Sequence, residues 1–170
     1  MDWLIQSFSV SGASRLDIVG EGPRRRFFER LASQSPKADS IIFHGRLSES
    51  AKQDLLASSD LLILPADRSN EAFGIVQLEA MVCGVPALAL DQPRSGMAWV
   101  GGMEERQSMH LGSSSVISAT SNLSDRLRFL IKNFIESPDE LSQEALLARR
   151  RYESMFARSV WLRRLHAIGL

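Results

Sequence analysis

The sequence predicts an α/β protein built on a Rossmann-like, doubly wound parallel sheet, followed by a helical C-terminal tail. Short apolar runs alternate along the chain with helical segments of about 10–12 residues, which is the order of βαβ units. The runs are apolar at consecutive positions, as in strands that are buried on both faces of a parallel sheet. A chain of 170 residues is long enough for one such core, so we expect a single domain over residues 1–170.

The predicted elements follow one another in a regular order. Residues 3–8 end a first helix. The short runs of branched and aliphatic residues that we predict as strands are 15–20, 40–45, 61–66, 86–90 and 115–119. The predicted helices are 23–32, 49–60 and 73–84, followed by the tail helices 122–137, 138–156 and 159–168. Pro23 begins the first of them, and Gly84 ends the third. Residues 91–114 have loop composition and no clear period.

Composition and charge exclude several classes of protein. Twenty basic residues balance twenty acidic ones, whereas a nucleic-acid binder usually carries a basic excess, so we expect no nucleic-acid partner. A single cysteine, Cys83, permits no internal disulfide and no cysteine-based zinc site. The N-terminus lacks the basic start of a signal peptide, and no apolar run approaches the ~18–20 residues that span a bilayer. We therefore expect a cytoplasmic protein.

Other familiar motifs are incomplete or missing. Gly20 and Gly22 after the first strand match part of the dinucleotide motif G-x-G-x-x-G, but Arg25 stands where the third glycine belongs. A plain turn is at least as good an interpretation as an NAD site. The three histidines lack the helical spacing of metal ligands, so no metal site is expected. Neither a G-x-S-x-G elbow nor a P-loop is present.

One stretch, EAFGIVQLEAMVCGVPALAL at 71–90, has the features of an anion site. If its helix begins near Gly74, the amides of Gly74, Ile75 and Val76 are unpaired first-turn donors at the positive end of the helix dipole. Such a helix start suits a phosphate, and a glycine there lets the anion approach closely.

Two glutamates flank this helix start. Glu79 lies in the second turn, and because helical side chains lean toward the N-terminus, its carboxylate would reach the same place and accept two ribose hydroxyls. Glu71, in the preceding loop, would lie near the group that the phosphate carries. Spacing alone favours the simpler interpretation, in which Glu71 is a surface residue and Glu79 is solvated.

Residues 71–86, EAFGIVQLEAMVCGVP, resemble the E-x7-E signature of retaining glycosyltransferases of the GT-B fold, the large family-4 type. In that family the segment reads E-x-F-G-x-x-x-x-E-A-M-A-C-G-x-P. The blocks LDIVGEGP, IIFHGRLSES and SSDLLILPA follow the family's order, and the closing residues 149–168 are similar to its last helices, with Trp161 near the usual aromatic position. The resemblance covers about residues 3–168 and is weakest over 91–114.

The resemblance implies a donor-binding domain that takes part in sugar transfer. The donor would be a UDP- or GDP-linked sugar and the acceptor a glycan or lipid, with retention of configuration, in polysaccharide or lipopolysaccharide assembly. No cofactor or metal is expected beyond the nucleotide sugar. As an alternative to a purely cytoplasmic location, the full-length enzyme would lie at the inner face of the membrane.

The family's residue roles carry over by position. Glu71 would be the catalytic residue, contacting the donor sugar and helping to stabilise the oxocarbenium-like transition state. Glu79 would bind the ribose. The remaining binding residues would be the backbone of Phe73, Gly74, Ile75 and Val76 for the distal phosphate and sugar, Arg46 and Leu47 for the base, Lys52 as a polar contact, and Gly20 and Gly22 for the cleft wall.

The sequence departs from the family pattern at its beginning. The family's first strand, with the arginine and lysine that neutralise the diphosphate, and its acceptor domain are absent, so we expect an inactive donor half. The missing strand would lie between 15–20 and 61–66, and we expect those strands to pair directly or to be completed by another chain. Exposed apolar residues on helix 159–168 would promote homo-oligomers. The alternatives are a GT-B nucleotide-sugar epimerase, a non-catalytic nucleotide-sugar-binding fragment and, more remotely, an NAD-dependent dehydrogenase.

Overall fold

The computed structural model describes residues 1–67, 71–92, 94–102, 116–118 and 122–168. The strands are β1 Leu16–Val19, β2 Ile41–Gly45, β3 Leu62–Leu64, β4 Ala87–Asp91 and β5 Val116–Ser118. The α-helices are α1 Asp2–Val10, α2 Arg25–Ser33, α3 Glu49–Ala57, α4 Ile75–Val82, α5 Met97–Val100, α6 Leu123–Glu136, α7 Pro138–Arg151 and α8 Arg158–Ala167. A 3₁₀ turn, Ala38–Ser40, precedes β2, and a π-helical turn, Tyr152–Phe156, joins α7 to α8.

All the predicted strands are present and every pairing is parallel, which confirms the α/β class. Helices cover both faces of the β3–β4–β5 sheet, as in a doubly wound fold. On one face, Leu4 of α1 and Leu127 of α6 pack with Leu88 and Leu90 of β4. On the other face, Leu56 of α3 and Ala80 of α4 pack with Val85 and Ala87.

Local sequence signals fix the helix ends. Ser48 caps α3 by accepting a hydrogen bond from the amide of Ala51, and Asn122 caps α6 by accepting one from Asp125. Pro138 occupies the first turn of α7, where its missing N–H is not needed. Gly84 follows α4 with φ 73°, the left-handed conformation that ends a helix most readily at glycine.

The structure corrects the expectation that β1 pairs directly with β3. The described strands form two sheets, β1–β2 and β3–β4–β5, and a cavity of about 1000 Å³ lies between β1 and β3. Helix α1 packs against both sheets, because Leu4 contacts β4 while Phe8 belongs to a cluster with Ile18 and Ile41. Its side chains therefore hold the sheets in place without a direct ladder. Completion by another chain stays a prediction.

A second correction concerns the stretch predicted as a loop over 91–114. It contains the short helix α5, in which Met97 and Val100 are fully buried. Four residues are too few to show a helical period in the sequence. Residues 103–115 lie outside the described part of the chain.

The C-terminal tail packs beside the start of α4. Phe156 clusters with Met81 and Val100, and its ring meets those of Phe73 and Trp99 edge-on, with centroids 6.4 and 5.2 Å away. Three residues of α8, Trp161, Leu162 and Leu165, are exposed as expected. Whether this surface forms oligomers stays a prediction. Within the described ranges, no helix is long and apolar enough to cross a membrane.

Candidate functional site

The start of α4 requires a glycine. Gly74 has φ 77°, a left-handed conformation that residues with a side chain rarely adopt. A Cβ atom there would lie 2.6 Å from Nε2 of Gln77 and 2.9 Å from Cδ2 of Leu64. The glycine therefore serves both the turn into the helix and the close packing beneath it.

The carboxylate of Glu71 binds this helix start. Its Oε1 accepts hydrogen bonds from the amide of Gly74 at 2.7 Å and from that of Phe73 at 3.2 Å. A negative charge at the positive end of α4 is favourable, and the two bonds satisfy the amides of the two residues just before the helix. Glu71 occupies these two amides. The backbone donors that remain at the start of α4 are those of Ile75 and Val76, for which the described residues offer no acceptor.

The loop that carries Glu71 is fixed from behind by α5. The amide of Gly96, just before α5, donates to the carbonyl of Ala72 at 2.7 Å. Arg151 of α7 in turn donates to the carbonyls of Trp99 and Val100, at 2.5 and 2.8 Å. The tail, α5 and the 71–74 loop thus form one connected structure around the helix start.

Glu79 lies on α4 in contact with Lys52 of α3. The Nζ atom of Lys52 is 3.0 Å from Oε1 and 2.9 Å from Oε2 of Glu79, and 2.9 Å from Oε2 of Glu49. Hydrogen bonds to Glu49 and Glu79 raise the pKa of Lys52 above its usual value. Although Oε2 of Glu79 is close to Nζ, it is buried and receives no hydrogen bond of good geometry within the described part, so it retains the capacity to accept one.

The sequence analysis did not single out Gln77. Its side chain is fully buried beneath Gly74, with Nε2 3.4 Å from the carbonyl of Met97 and with no partner for Oε1 among the described residues. The available signal was a long polar side chain among the apolar residues of the segment 75–82. Buried amides of this kind fix the packing of adjacent elements when their bonds are made.

The two glycine turns that we predicted as part of the cleft lie side by side. The amide of Gly20 donates to the carbonyl of Gly45 at 2.7 Å. A Cβ on Gly45 would meet Oε1 of Glu21 at 2.6 Å. Gly22 and Arg46 are exposed and Leu47 is half-buried, and the described part of the chain shows no ion pair at Arg46.

A polar cluster on β1 and β2 was also missed. Nε2 of His44 lies 2.6 Å from Oδ1 of Asp17, and Arg15 makes two hydrogen bonds of 2.8 Å to the same carboxylate. Burial opposes the charge on Asp17, but the bonds from Arg15 and His44 outweigh it and hold the pKa of Asp17 below its usual value. Residues that are adjacent only through strand pairing leave no spacing signal in the sequence.

The structure brings some of the predicted site residues together and leaves others apart. Glu71 is joined to Phe73 and Gly74, Glu79 to Lys52, and Gly20 to Gly45. Within the described ranges no hydrogen bond or ion pair joins Glu71 to Glu79, or either to the glycine turns. That both carboxylates face one cleft shared with these turns stays a prediction. The described residues contain no group of three or more typical metal ligands.

Comparison with known protein families decides the classification. The sequence model of the family described as "Glycosyl transferases group 1" matches residues 3–145, most of the chain. The chain belongs to the glycosyl transferases group 1 family. Its fold is that of GT-B glycosyltransferase structures, as the parallel sheets and the helical tail show.

Two curated relatives match the chain at moderate identity. N-acetyl-alpha-D-glucosaminyl L-malate synthase of Bacillus anthracis is 39% identical over 75 residues, 44% of this chain and 19% of that protein. A GDP-mannose-dependent alpha-(1-6)-phosphatidylinositol dimannoside mannosyltransferase of Mycobacterium tuberculosis is 42% identical over 76 residues, 44% of this chain and 18% of that protein. The matched segment is thus under a fifth of the length of either relative.

Solved structures agree with this assignment at the level of the fold. HepE of Anabaena, solved in complex with UDP-glucose, superposes on 98% of this chain with a TM-score of 0.75 and 16% identity. The matched region makes up 44% of the HepE chain. This group 1 chain therefore corresponds to less than half of the compared structure.

Proposed function

We propose that residues 1–170 form the donor-binding part of a glycosyltransferase that transfers a sugar, with retention, from a nucleoside diphosphate sugar to a glycan or lipid acceptor. The observation that carries the proposal is the start of α4, where Glu71 binds the helix amides and Glu79 follows within the same helix, paired with Lys52. The names of two similar proteins, one GDP-mannose-dependent and one bound to UDP-glucose, support a nucleotide sugar as the donor.

The helix start would hold the distal phosphate. The amides of Ile75 and Val76, which have no acceptor among the described residues, lie in the first turn of α4, where the helix dipole also favours an anion. When a phosphate arrives, it competes with the carboxylate of Glu71 for the amides of Phe73 and Gly74. Displacement would free Glu71 to contact the donor sugar.

Glu79 would bind the ribose. A ribose diol offers two O–H donors, and a carboxylate accepts both in a bidentate arrangement. Oε2 of Glu79 is buried and has no well-aligned donor among the residues that the structure describes, and Oε1 is held by Lys52. The pairing with Lys52 keeps the carboxylate oriented. Arg46 and Leu47 would line the base, and Gly20 and Gly22 the wall of the cleft.

Glu71 would act on the reacting sugar. In retaining transfer the bond from the anomeric carbon to the diphosphate breaks while positive charge develops on the sugar ring and negative charge on the leaving oxygens. A carboxylate near the ring stabilises the first charge, and the α4 amides stabilise the second. The reaction needs no cofactor in this proposal. The acceptor would be held by a further domain, in polysaccharide or lipopolysaccharide assembly at the cytoplasmic side of the membrane.

A second candidate is a non-catalytic nucleotide-sugar-binding fragment. The cavity between β1 and β3 favours it, because among the described strands the facing edges of β1 and β3 have no partner, which leaves the geometry of the neighbouring site less firmly held. Titration with UDP- and GDP-sugars, followed by product analysis with and without glycan acceptors, separates the two. Binding with transfer to an acceptor supports the transferase. Binding without any turnover, in a full-length parent as well, supports a role in nucleotide-sugar binding alone. Absence of binding by either class of nucleotide sugar contradicts both.

A further inference from the structure

Helix α5 is a short element that depends on contacts at both of its ends. It has only four residues, Met97–Val100, and a single helical turn of this length is not stable by itself in water. Just before the turn, the amide of Gly96 donates to the carbonyl of Ala72. At the other end, the carbonyls of the last two residues accept from Arg151 of α7. The position of α5 therefore depends on groups that lie far from it in the sequence.

Arg151 binds the end of α5 in a geometry that suits an arginine. Its Nε donates to the carbonyl of Val100 at 2.8 Å, and its Nη2 donates to that of Trp99 at 2.5 Å. Carbonyls at the end of a helix lack partners within the helix, and a planar guanidinium presents two donors to them in a fixed fork. A Cβ atom on Gly102 would lie 3.3 Å from Nε, so the chain after α5 lies directly against the guanidinium. One side chain of α7 thus fixes the end of α5.

The beginning of α5 is bonded to the loop that carries Glu71. The carbonyl of Ala72, the residue after Glu71, accepts from the amide of Gly96 at 2.7 Å. The carboxylate of Glu71 in turn accepts from the amides of Phe73 and Gly74. A shift of α5 would therefore displace the carboxylate and these two amides together.

Packing leaves α5 little freedom between these bonds. Met97 and Val100 are fully buried. The ring of Trp99 packs against those of Phe73 and Phe156, with centroids 5.9 and 5.2 Å away. A closely packed interior transmits a displacement rather than absorbing it. The short helix therefore connects the C-terminal helices to the 71–74 loop as one rigid turn.

We propose that Arg151 is a positioning residue of the donor site: through α5, it holds the 71–74 loop where Glu71 meets the sugar and the loop amides meet the distal phosphate. Arg151 itself touches neither group. The inference rests on the proposed function for the identity of the ligand. It adds that a residue of the C-terminal helices sets the affinity for the diphosphate-sugar end of the donor.

The nucleoside end of the site should not depend on Arg151. Glu79 and Lys52 bind each other between α4 and α3, and the hydrogen bonds described for them do not involve α5. Arg151→Met should therefore weaken binding of a UDP- or GDP-sugar about tenfold and change the affinity for the corresponding nucleoside monophosphate by less than about twofold. A variant that was only destabilised would lose both affinities alike. Calorimetry with the two ligands measures this difference.

Hydrogen exchange, followed by NMR on the full 170-residue chain, tests the position of the loop without any ligand. Arg151→Met should speed exchange at least about tenfold at the amides whose bonds hold the loop, those of Phe73, Gly74 and Gly96. The amide of Gly20, which is bonded within the turns of the β1–β2 sheet, is the internal reference and should not change.

Two further variants serve as controls. Arg150 is exposed on the same turn of α7, and its side chain makes no hydrogen bond or ion pair within the described ranges, so Arg150→Met should behave as the wild type. Arg151→Lys keeps the charge but lacks the planar fork, so it should recover only part of each loss, and it replaces Arg151→Met if that variant does not fold.

Three results would overturn the proposal: equal effects of Arg150→Met and Arg151→Met, exchange that rises as much at Gly20 as in the loop, or equal loss of affinity for the nucleotide sugar and the monophosphate. If the wild type binds neither UDP- nor GDP-sugars, the proposed function fails instead. Faster exchange in the loop would then still show that Arg151 positions it, and unchanged exchange would overturn that as well.

Discussion

Oε1 of Glu71 accepts a hydrogen bond from the amide of Gly74 at 2.7 Å, so the carboxylate that we assign to the reacting sugar also caps the helix that we assign to the phosphate. One side chain therefore has two interactions that exclude each other. Without ligand, Glu71 neutralises the start of α4. In our proposal, a phosphate bound at the same amides would release the carboxylate toward the sugar. Stability without donor and turnover with donor should accordingly respond differently to substitution at this position.

Substitution of Glu71 should separate these two interactions. Glu71→Ala removes the helix cap and should lower the free energy of unfolding of the ligand-free chain by about 0.5–2 kcal/mol. Glu71→Gln keeps an oxygen acceptor and should recover much of that loss. In a full-length parent enzyme both variants should reduce kcat, because neither supplies the negative charge beside the forming cation. Denaturant titration measures the unfolding free energies, and steady-state kinetics measures kcat. Full turnover by Glu71→Gln would contradict the catalytic assignment.

Gly74→Ala should destabilise the fold by roughly 1–3 kcal/mol, because φ is 77° and a Cβ would overlap Gln77 and Leu64. Gly22→Ala is the matched control: a Cβ at Gly22 meets no atom within 4 Å, so the change should stay within about 0.5 kcal/mol. Urea denaturation of the two variants measures both values. A similar loss in each would mean that the turn at Gly74 does not depend on its glycine.

The stability contributed by Asp17 should depend on pH. Bonds from Arg15 and His44 overcome the effect of burial and lower the pKa of Asp17 in the folded chain. A carboxyl group whose folded pKa is depressed stabilises the fold above its unfolded pKa of about 3.9, and this contribution is lost as the pH falls through the folded value. The difference in unfolding free energy between the wild type and Asp17→Asn should therefore be constant near neutral pH and shrink below about pH 4. A pH-independent difference would show that the cluster does not stabilise the ionised form.

Residues 1–170 alone should transfer no sugar above background. The open cavity beside the site and the acceptor domain that we propose as a further part of the enzyme both predict this result. The assay uses a mixture of UDP- and GDP-sugars with a range of glycan acceptors, and a full-length relative serves as the positive control. Robust turnover by the purified monomer would contradict the assignment of these residues to the donor-binding part alone.

The sequence predicted the strands well because their residues are apolar at consecutive positions, although of the strands whose burial is described only β4 is buried at consecutive positions. β2, for example, was expected at 40–45 and spans Ile41–Gly45. Helix α4 was placed correctly by Gly74 and Gly84, both of which have positive φ. Apolar runs and glycines at helix ends depend only on neighbouring residues, so they can be recognised in a single sequence.

The features that were missed depend on long-range packing. The pairing of β1 with β3 was expected from strand order, but α1 packs on both sheets and supports them without a shared ladder. Helix α5 has only four residues and no detectable period. The bond of His44 to Asp17 joins residues 27 positions apart, and the burial of Gln77 follows from α5 packing over it.

The affinity of the chain for a nucleoside diphosphate sugar, measured by calorimetry for the wild type, Glu79→Ala and Glu49→Ala, tests the central claim most directly. Both glutamates bind Lys52, but Glu49 is 81% exposed and is assigned no ligand contact, so it controls for the loss of that ion pair. We expect Glu79→Ala to weaken binding by ~1–3 kcal/mol, since a charged acceptor of the ribose is lost, and Glu49→Ala to bind nearly as the wild type does. Equal affinity of the wild type and Glu79→Ala would contradict the donor site proposed at α4.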